Sequence, residues 1–314
     1  MRFAAFTTFA TLLFLCFAAP AQAQQASDLI GAWDVTVTDG DLTYPSWFDV
    51  EKSGTSTLVG RYVGRFGSAR PVAEVKYENG SFTFEVPPQW ESRKTNVVYQ
   101  GHWNGDQLTG STTNDDGKTI SWVAVRAPIH SDPKEVSVGD SLDLFDGKSL
   151  DGWHARFPEQ ENGWKVIDGI LTNQKPGNDL ISDQKFKDFR LSVEFRYPEG
   201  SNSGLYLRGR HEVQVEDNYG KPTNSHNIGG VYGFLTPSYN AAKPAGEWQS
   251  YDITLVGRRI TVVLNGQRVI DHQLIPGITG GALDSNEGEP GPLMVQGDHG
   301  PVEFRRIQIT PIGN

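Results

Sequence analysis

From Gly31 to Arg126 apolar and polar positions alternate in short runs: Trp33-Asp34-Val35-Thr36-Val37, Ser46-Trp47-Phe48-Asp49-Val50, Phe82-Thr83-Phe84-Glu85-Val86, Val97-Val98-Tyr99 and Thr119-Ile120-Ser121-Trp122-Val123. A period of two predicts strands with one buried face. Between the runs stand Asn79-Gly80, Asn104-Gly105 and Asp116-Gly117, pairs that accept the positive φ of tight hairpins. Residues 24–130 therefore read as a small antiparallel β domain, a barrel or a sandwich.

Residues 131–141 continue a stretch with two prolines and no apolar period, which suits an extended linker. A second domain, 142–314, again reads as strands: Trp164–Ile167, Phe189–Tyr197, Gly204–Leu207, Glu212–Glu216, Gln249–Val256, Arg259–Leu264 and Glu303–Ile309. Asp168-Gly169 and Asn265-Gly266 supply further hairpin turns. No segment carries ten or more residues of helical periodicity, so the fold class is all-β, with a two-sheet jelly-roll sandwich as the larger part.

The N-terminus has a different pattern. After Met1-Arg2, the stretch from Phe3 to Ala19 is almost wholly apolar, and Ala21-Gln22-Ala23 offers small residues two apart. This predicts an export signal, residues 1–23, cleaved near Ala23, and a periplasmic or secreted product. The apolar run, about 17 residues, is at the lower limit for spanning a bilayer and lacks a basic stop, so no stable membrane insertion is expected after cleavage. The one cysteine, Cys16, lies inside this segment, so the mature chain is expected to hold no disulfide.

Composition narrows the partners. With 28 basic and 38 acidic residues the 314-residue chain has a net charge of −10 and no surplus for gripping phosphates, so nucleic acid is not an expected partner. A neutral polar ligand, a carbohydrate above all, fits better.

The densest polar cluster runs from Asn202 to Asn218. If Val213 and Val215 face the core, then Glu212, Gln214 and Glu216 share the opposite face, about 7 Å apart along the strand. Such a row can bind sugar hydroxyls, hold a divalent cation or do acid/base work. Arg208 precedes it and offers a guanidinium fork, whereas His211 falls on the other pleat. Near the C-terminus Gln296, Asp298 and His299 stand in a glycine-punctuated turn, where sandwich rims carry ligand groups. The loop from Asn218 to Glu247 brings Tyr219, Tyr232, Phe234 and Tyr239, rings able to stack on sugars. Trp248 reads as a core anchor at a strand entry. Gly-x-Ser-x-Gly, phosphate-cradling and zinc-spaced motifs do not occur.

These motifs together carry a resemblance. The run Leu144-Phe145-Asp146-Gly147-Lys148-Ser149-Leu150-Asp151-Gly152-Trp153, then Asn202-Ser203-Gly204-Leu205-Tyr206-Leu207-Arg208 leading to Glu212-Val213-Gln214-Val215, then Gly246-Glu247-Trp248-Gln249, Leu264-Asn265-Gly266 and Gly297-Asp298-His299-Gly300 resemble the 3-keto-disaccharide hydrolase family over residues 142–311. The resemblance implies a concanavalin A-like fold and cleavage of glycosides oxidised to a ketone at C3. It further implies C2 deprotonation, elimination of the C1 substituent and hydration of the enone, with a divalent cation such as calcium or manganese. Carried over, Glu212, Gln214 and Asp217 form the metal or substrate shell. Arg208 becomes a charge stabiliser and His299 a proton carrier, with Glu216 ancillary; Tyr206, Glu216, Gln296 and Tyr232, read from their own places in the chain, are the expected substrate contacts. The same row is similar to the Glu-x-Asp-x-Glu strand of laminarinase-like glycanases, with Gln214 at the central acid. Before it, Gly31-x-Trp33 and the meander resemble the start of a lipocalin-like barrel. A lectin-like binder and a conventional endo-glycanase are the alternative readings of the site.

Overall fold

Asn79, Asp168 and Asn265 hold φ of 50°, 51° and 51°, and the glycine after each is also left-handed. Asparagine, aspartate and glycine tolerate this backbone, so each pair closes a tight hairpin. The hairpins join Val75–Glu78 to Ser81–Val86, Trp164–Ile167 to Ile170–Asn173, and Arg259–Leu264 to Gln267–Leu274. A computed structural model describes residues 25–129 and 137–313; the cleavage site read near Ala23 and part of the expected linker fall outside the described residues.

Every other pairing in the first sheet joins strands adjacent in sequence, but Gly31–Asp39 pairs both with Leu42–Ser53 and with Thr119–Arg126. First and last strands thus meet, which is the connectivity of an up-and-down barrel. One seam has no ladder, between Arg70–Val72 and Val75–Glu78. The inward positions are aromatic and buried, among them Trp33, Phe48, Tyr62, Phe84 and Trp122. Phe48 and Phe84 stack with centroids 4.3 Å apart, and Phe84 stacks on Tyr99 at 4.9 Å.

Two antiparallel sheets build the larger part. One runs in the order Trp164–Ile167, Ile170–Asn173, Val302–Gly313, Asp188–Arg196, Gln249–Val256, Arg259–Leu264, Gln267–Leu274. The other runs Trp153–Ala155, Leu180–Phe186, Gly291–Val295, Asn202–Leu207, His211–Glu216. Leu191, Val193 and Phe195 of the first face Leu205, Val213, Val215 and Val295 of the second in one core. The all-β sandwich expected from the alternation is therefore present. Trp248 differs from its reading as a core anchor: it is half-buried on the outer side, where Arg196 and Arg305 lie 4.8 and 4.4 Å from its ring. Among the described residues no helix is long and apolar enough to cross a membrane.

The barrel packs on the outer face of the smaller sheet. Trp47 and Val63 share a buried cluster with Ile278 and Ala282, and Trp47 meets Phe234 edge-on at 5.5 Å. Gly280 permits the closest approach, since a Cβ there would sit 2.1 Å from the Gly67 carbonyl oxygen. The Gly281 amide then donates to the Arg65 carbonyl at 2.8 Å.

A polar contact also crosses this interface. Asp34 of the barrel and Glu287 of the sandwich are both buried, and burial together with their mutual repulsion raises the Asp34 carboxyl. Burial raises Glu287 as well, against the pull of Arg258, whose Nη1 lies 3.4 Å from Glu287 Oε2. The folded protein therefore keeps a proton on this pair where the unfolded chain has released it. That contribution is complete below the ordinary carboxylate range and is lost as pH rises through the raised values. Thermal melts of the full chain are expected to show Tm falling by a few degrees from mildly acidic to mildly alkaline pH. Asp34→Asn is expected to flatten the fall; an unchanged slope would remove the pair as its cause.

Candidate active site

Glu212 and Gln214 lie on the face turned away from the sandwich core, as alternation requires. That face is not a solvated surface: Glu212 is 4% and Gln214 2% exposed, because the segment around Thr279 to Ala282 and the barrel cover it. The Glu212 side chain folds over Gly204 of the neighbouring strand, where a Cβ would stand 2.4 Å from Oε1. Tyr206 Oη lies 2.9 Å from Glu212 Oε2 and 3.0 Å from the Gly280 carbonyl oxygen. The single Tyr206 hydroxyl proton serves one of these acceptors at a time, the Glu212 carboxyl or the Gly280 carbonyl. Burial pushes the Glu212 carboxyl up to about 8, opposed by the Tyr206 hydrogen bond and the nearby His299.

Around it the cavity is lined by Arg156, Asp179, Asn202, Tyr232, Gln296, Asp298 and His299, together with Phe66 and Gly67 of the barrel. His299 Nδ1 bonds Asp298 Oδ1, and this carboxylate raises the imidazole above its ordinary range. Asp179 receives Arg156 Nη1 at 3.0 Å and the Gly297 amide at 3.0 Å. Burial and the neighbouring Asp298 nevertheless raise its carboxyl. Gln296 is fixed through its backbone, its amide donating to the Gly204 carbonyl at 2.9 Å and its carbonyl accepting from Ser203 Oγ at 2.7 Å. Tyr232 is half-buried, with His226 edge-on at 4.8 Å.

The sequence-read residues thus divide. Glu212, Gln214, Tyr206, Tyr232, Gln296 and His299 converge on one cavity. Glu216 does not line it; its Oε2 accepts from Asn218 Nδ2 at 2.7 Å at the strand end. Asp217 lies beyond the strand, where alternation no longer applies, and its Oδ2 accepts from the Gly200 amide at 2.9 Å. Arg208 is also outside the cavity. Its φ of 54° turns it at the hairpin, and the guanidinium is fully buried, donating from Nη2 to the Gly257 carbonyl, with its charge disfavoured by burial. His211, on the opposite pleat, is buried with Nδ1 3.2 Å from the Gly277 carbonyl.

The donor set read for a cation, Glu212, Gln214 and Asp217, therefore does not converge. Among the described residues no group of three His, Cys, Asp or Glu side chains is placed to hold a metal ion. Of the long-loop rings, Phe234 packs on the barrel, and Tyr219 and Tyr239 are 55% and 43% exposed. Sequence reasoning missed Arg156, Asp179, Phe66 and Gly67. Arg156 follows the Asp151-Gly152-Trp153 mark by three residues; the others carry no local signal.

The cleft lies in a protein of the carbohydrate-active, hydrolase-like class, as its likeness to known proteins shows. Residues 140–310 match the family model described as the 3-keto-alpha-glucoside-1,2-lyase-like domain, and the chain belongs to that family. It is 25% identical over 172 residues to a 3-keto-disaccharide hydrolase of Bacteroides thetaiotaomicron, covering 42% of this chain and 58% of that protein. The chain thus spans under two thirds of that relative's length. A candidate glycosyl hydrolase from Parabacteroides distasonis is 30% identical, with a TM-score of 0.47 over 58% of this chain and 93% of its own. A carbohydrate-binding module from Bacillus subtilis is 14% identical, with a TM-score of 0.34 over 52% of this chain and 96% of its own.

Gly204→Ala tests the packing of the base of this cavity. The added methyl forces the Glu212 carboxyl from its place, and a shift near 1 Å in a reacting group costs on the order of 100-fold in rate. We expect turnover of the substrate class proposed below to fall by about that factor with the cooperative melt retained. Full activity would show that Glu212 need not lie where it does.

Proposed function

We propose that the protein cleaves the glycosidic bond of 3-keto-glycosides, 3-keto-disaccharides among them, after export. The observation that carries the reading is the buried Glu212 carboxyl, raised to about 8, in one cavity with the His299–Asp298 pair. Family membership over residues 140–310 supports the same substrate class.

A ketone at C3 acidifies the proton on C2. In its ionised form Glu212 takes that proton, and the electron pair enters the enediolate. Collapse of the enediolate forms the C1=C2 double bond and breaks the bond from C1 to the leaving oxygen, which receives a proton from the His299 imidazolium. Water then adds across the double bond: the neutral His299 takes one of its protons, its hydroxyl bonds to C1 and Glu212 returns its proton to C2, giving the free 3-keto-sugar and restoring both side chains. Asp298 holds the imidazole charged and oriented. Arg156 keeps Asp179 paired at the cavity wall, while Gln214 and Gln296 offer amides to sugar hydroxyls. Burial of Glu212 itself raises the basicity of its carboxylate once it ionises.

Glu216 lies outside the cavity, so the strand does not present the two acids of a laminarinase-like row together. This favours the elimination route over the conventional glycanase alternative.

The test incubates the chain with a 3-keto-disaccharide and with its unoxidised parent, each with and without a chelator, and measures free sugars. Release from the keto form alone is expected. Glu212→Gln is expected to lower kcat by about 100- to 10,000-fold, the usual worth of general acid–base catalysis. In the parent enzyme one limb of the kcat/KM pH profile is expected near 8, where Glu212 titrates. Binding without turnover under every divalent-metal condition would favour the lectin-like alternative and overturn the reading. Loss on chelation would add a cation to the wild-type requirement.

A further inference from the structure

Two large aromatic rings beside the cavity remain open to solvent. Phe66 is 39% and Trp90 53% exposed, and both come from the barrel, outside the residues matched to the family. Their centroids lie 5.7 Å apart at 73°, an edge-to-face pair. Phe66 lines the cavity that holds Glu212 and His299. Trp90 lines the adjoining hollow at the barrel mouth, with Tyr44, Arg65 and Arg70. The pair is thus the shelf across which a molecule seated in the first cavity must extend toward the second.

The shelf is held from below. Trp90 Nε1 donates to the Phe66 carbonyl at 3.2 Å. Gln89 Oε1 accepts from the Ser68 amide at 2.9 Å, and its Nε2 donates to Ser68 Oγ at 2.6 Å. Across the interface, Arg65 is tied to Gly281 and Gly67 abuts Gly280. The Arg65 guanidinium lies 4.9 Å from the Phe66 ring centre, further restraining the ring. Rings fixed in this way lose little freedom when a ligand ring settles on them, and the apolar area they present is removed from water.

We propose that Phe66 and Trp90 form a platform for the leaving group, selecting substrates whose C1 substituent carries a ring. The shared chemistry is a flat or weakly polar ring face: the C–H face of a second pyranose, or an aryl group. The proposal rests on the function proposed above. It adds that the barrel, rather than the sandwich alone, decides which aglycones are accepted.

The experiment uses the full chain and 3-keto-glucosides bearing phenyl, glucosyl or methyl at C1. In Trp90→Ala the ratio of kcat/KM for the ring-bearing over the methyl substrate is expected to fall about tenfold, the order of one ring–ring contact. Phe66→Ala is expected to lower it likewise, and Trp90→Phe to restore most of it. A fall confined to phenyl or to glucosyl identifies which ring the platform takes; an unchanged ratio for both overturns it. Should the wild-type chain cleave none of the three, the function proposed above fails, and the platform is then decided by binding. The indole N–H resonance of Trp90, assigned by its absence in Trp90→Phe, is expected to shift with phenyl glucoside or a disaccharide but not with methyl glucoside. No shift with either ring-bearing ligand overturns the platform.

Discussion

The removal of one carboxyl group from water governs the rest of the candidate site. An isolated carboxylate in an apolar or poorly solvated place is costly, and a protein answers by neutralising it or by bringing partners. Glu212 receives both answers. Tyr206 reaches its Oε2, and the burial that raises its carboxyl keeps it protonated through much of the neutral range. The neighbouring groups follow from the same constraint: His299 lowers the cost of ionisation, while Asp179 and Asp298 raise it. A carboxyl balanced between these influences can both hold and release a proton near neutral pH.

This balance depends on a cover assembled from distant parts of the chain. The segment around Gly280 lies over Tyr206, and the barrel residues Phe66 and Gly67 lie over that segment. Removing side chains at glycines 204 and 280 lets strand and loop approach closely enough for this layering. The Trp47 cluster then fixes the barrel against the sandwich, so that the environment of Glu212 is a property of both parts together.

Much of the fold was legible because strand alternation and Asn-Gly or Asp-Gly turns are local codes. Arg259–Leu264, for example, follows directly from its pattern, and so does the shared face of Glu212 and Gln214. What lay beyond local reading was everything set by a residue's surroundings. Alternation told which way Glu212 points, but not that residues some seventy positions later and well over one hundred earlier in the chain would cover it. The family resemblance groups Asp217 with Glu212, yet the strand ends at Glu216 and the next residue turns to bond Gly200. Arg208 was placed by proximity in sequence, and a single left-handed residue sent it elsewhere. Asp179 sits before a strand with no motif around it, so only the fold brings it to His299 and Glu212.

The unladdered seam of the barrel bears on how the protein behaves in company. A sheet that does not close leaves two strand margins, and bare margins invite other chains to add on. Here both are blunt. Arg70–Val72 is three residues long with Pro71 at its centre, a residue that cannot donate to a new ladder, and Val75–Glu78 is four residues long and carries Lys76 and Glu78. The same gap that lets the barrel stay open is therefore guarded against templated association.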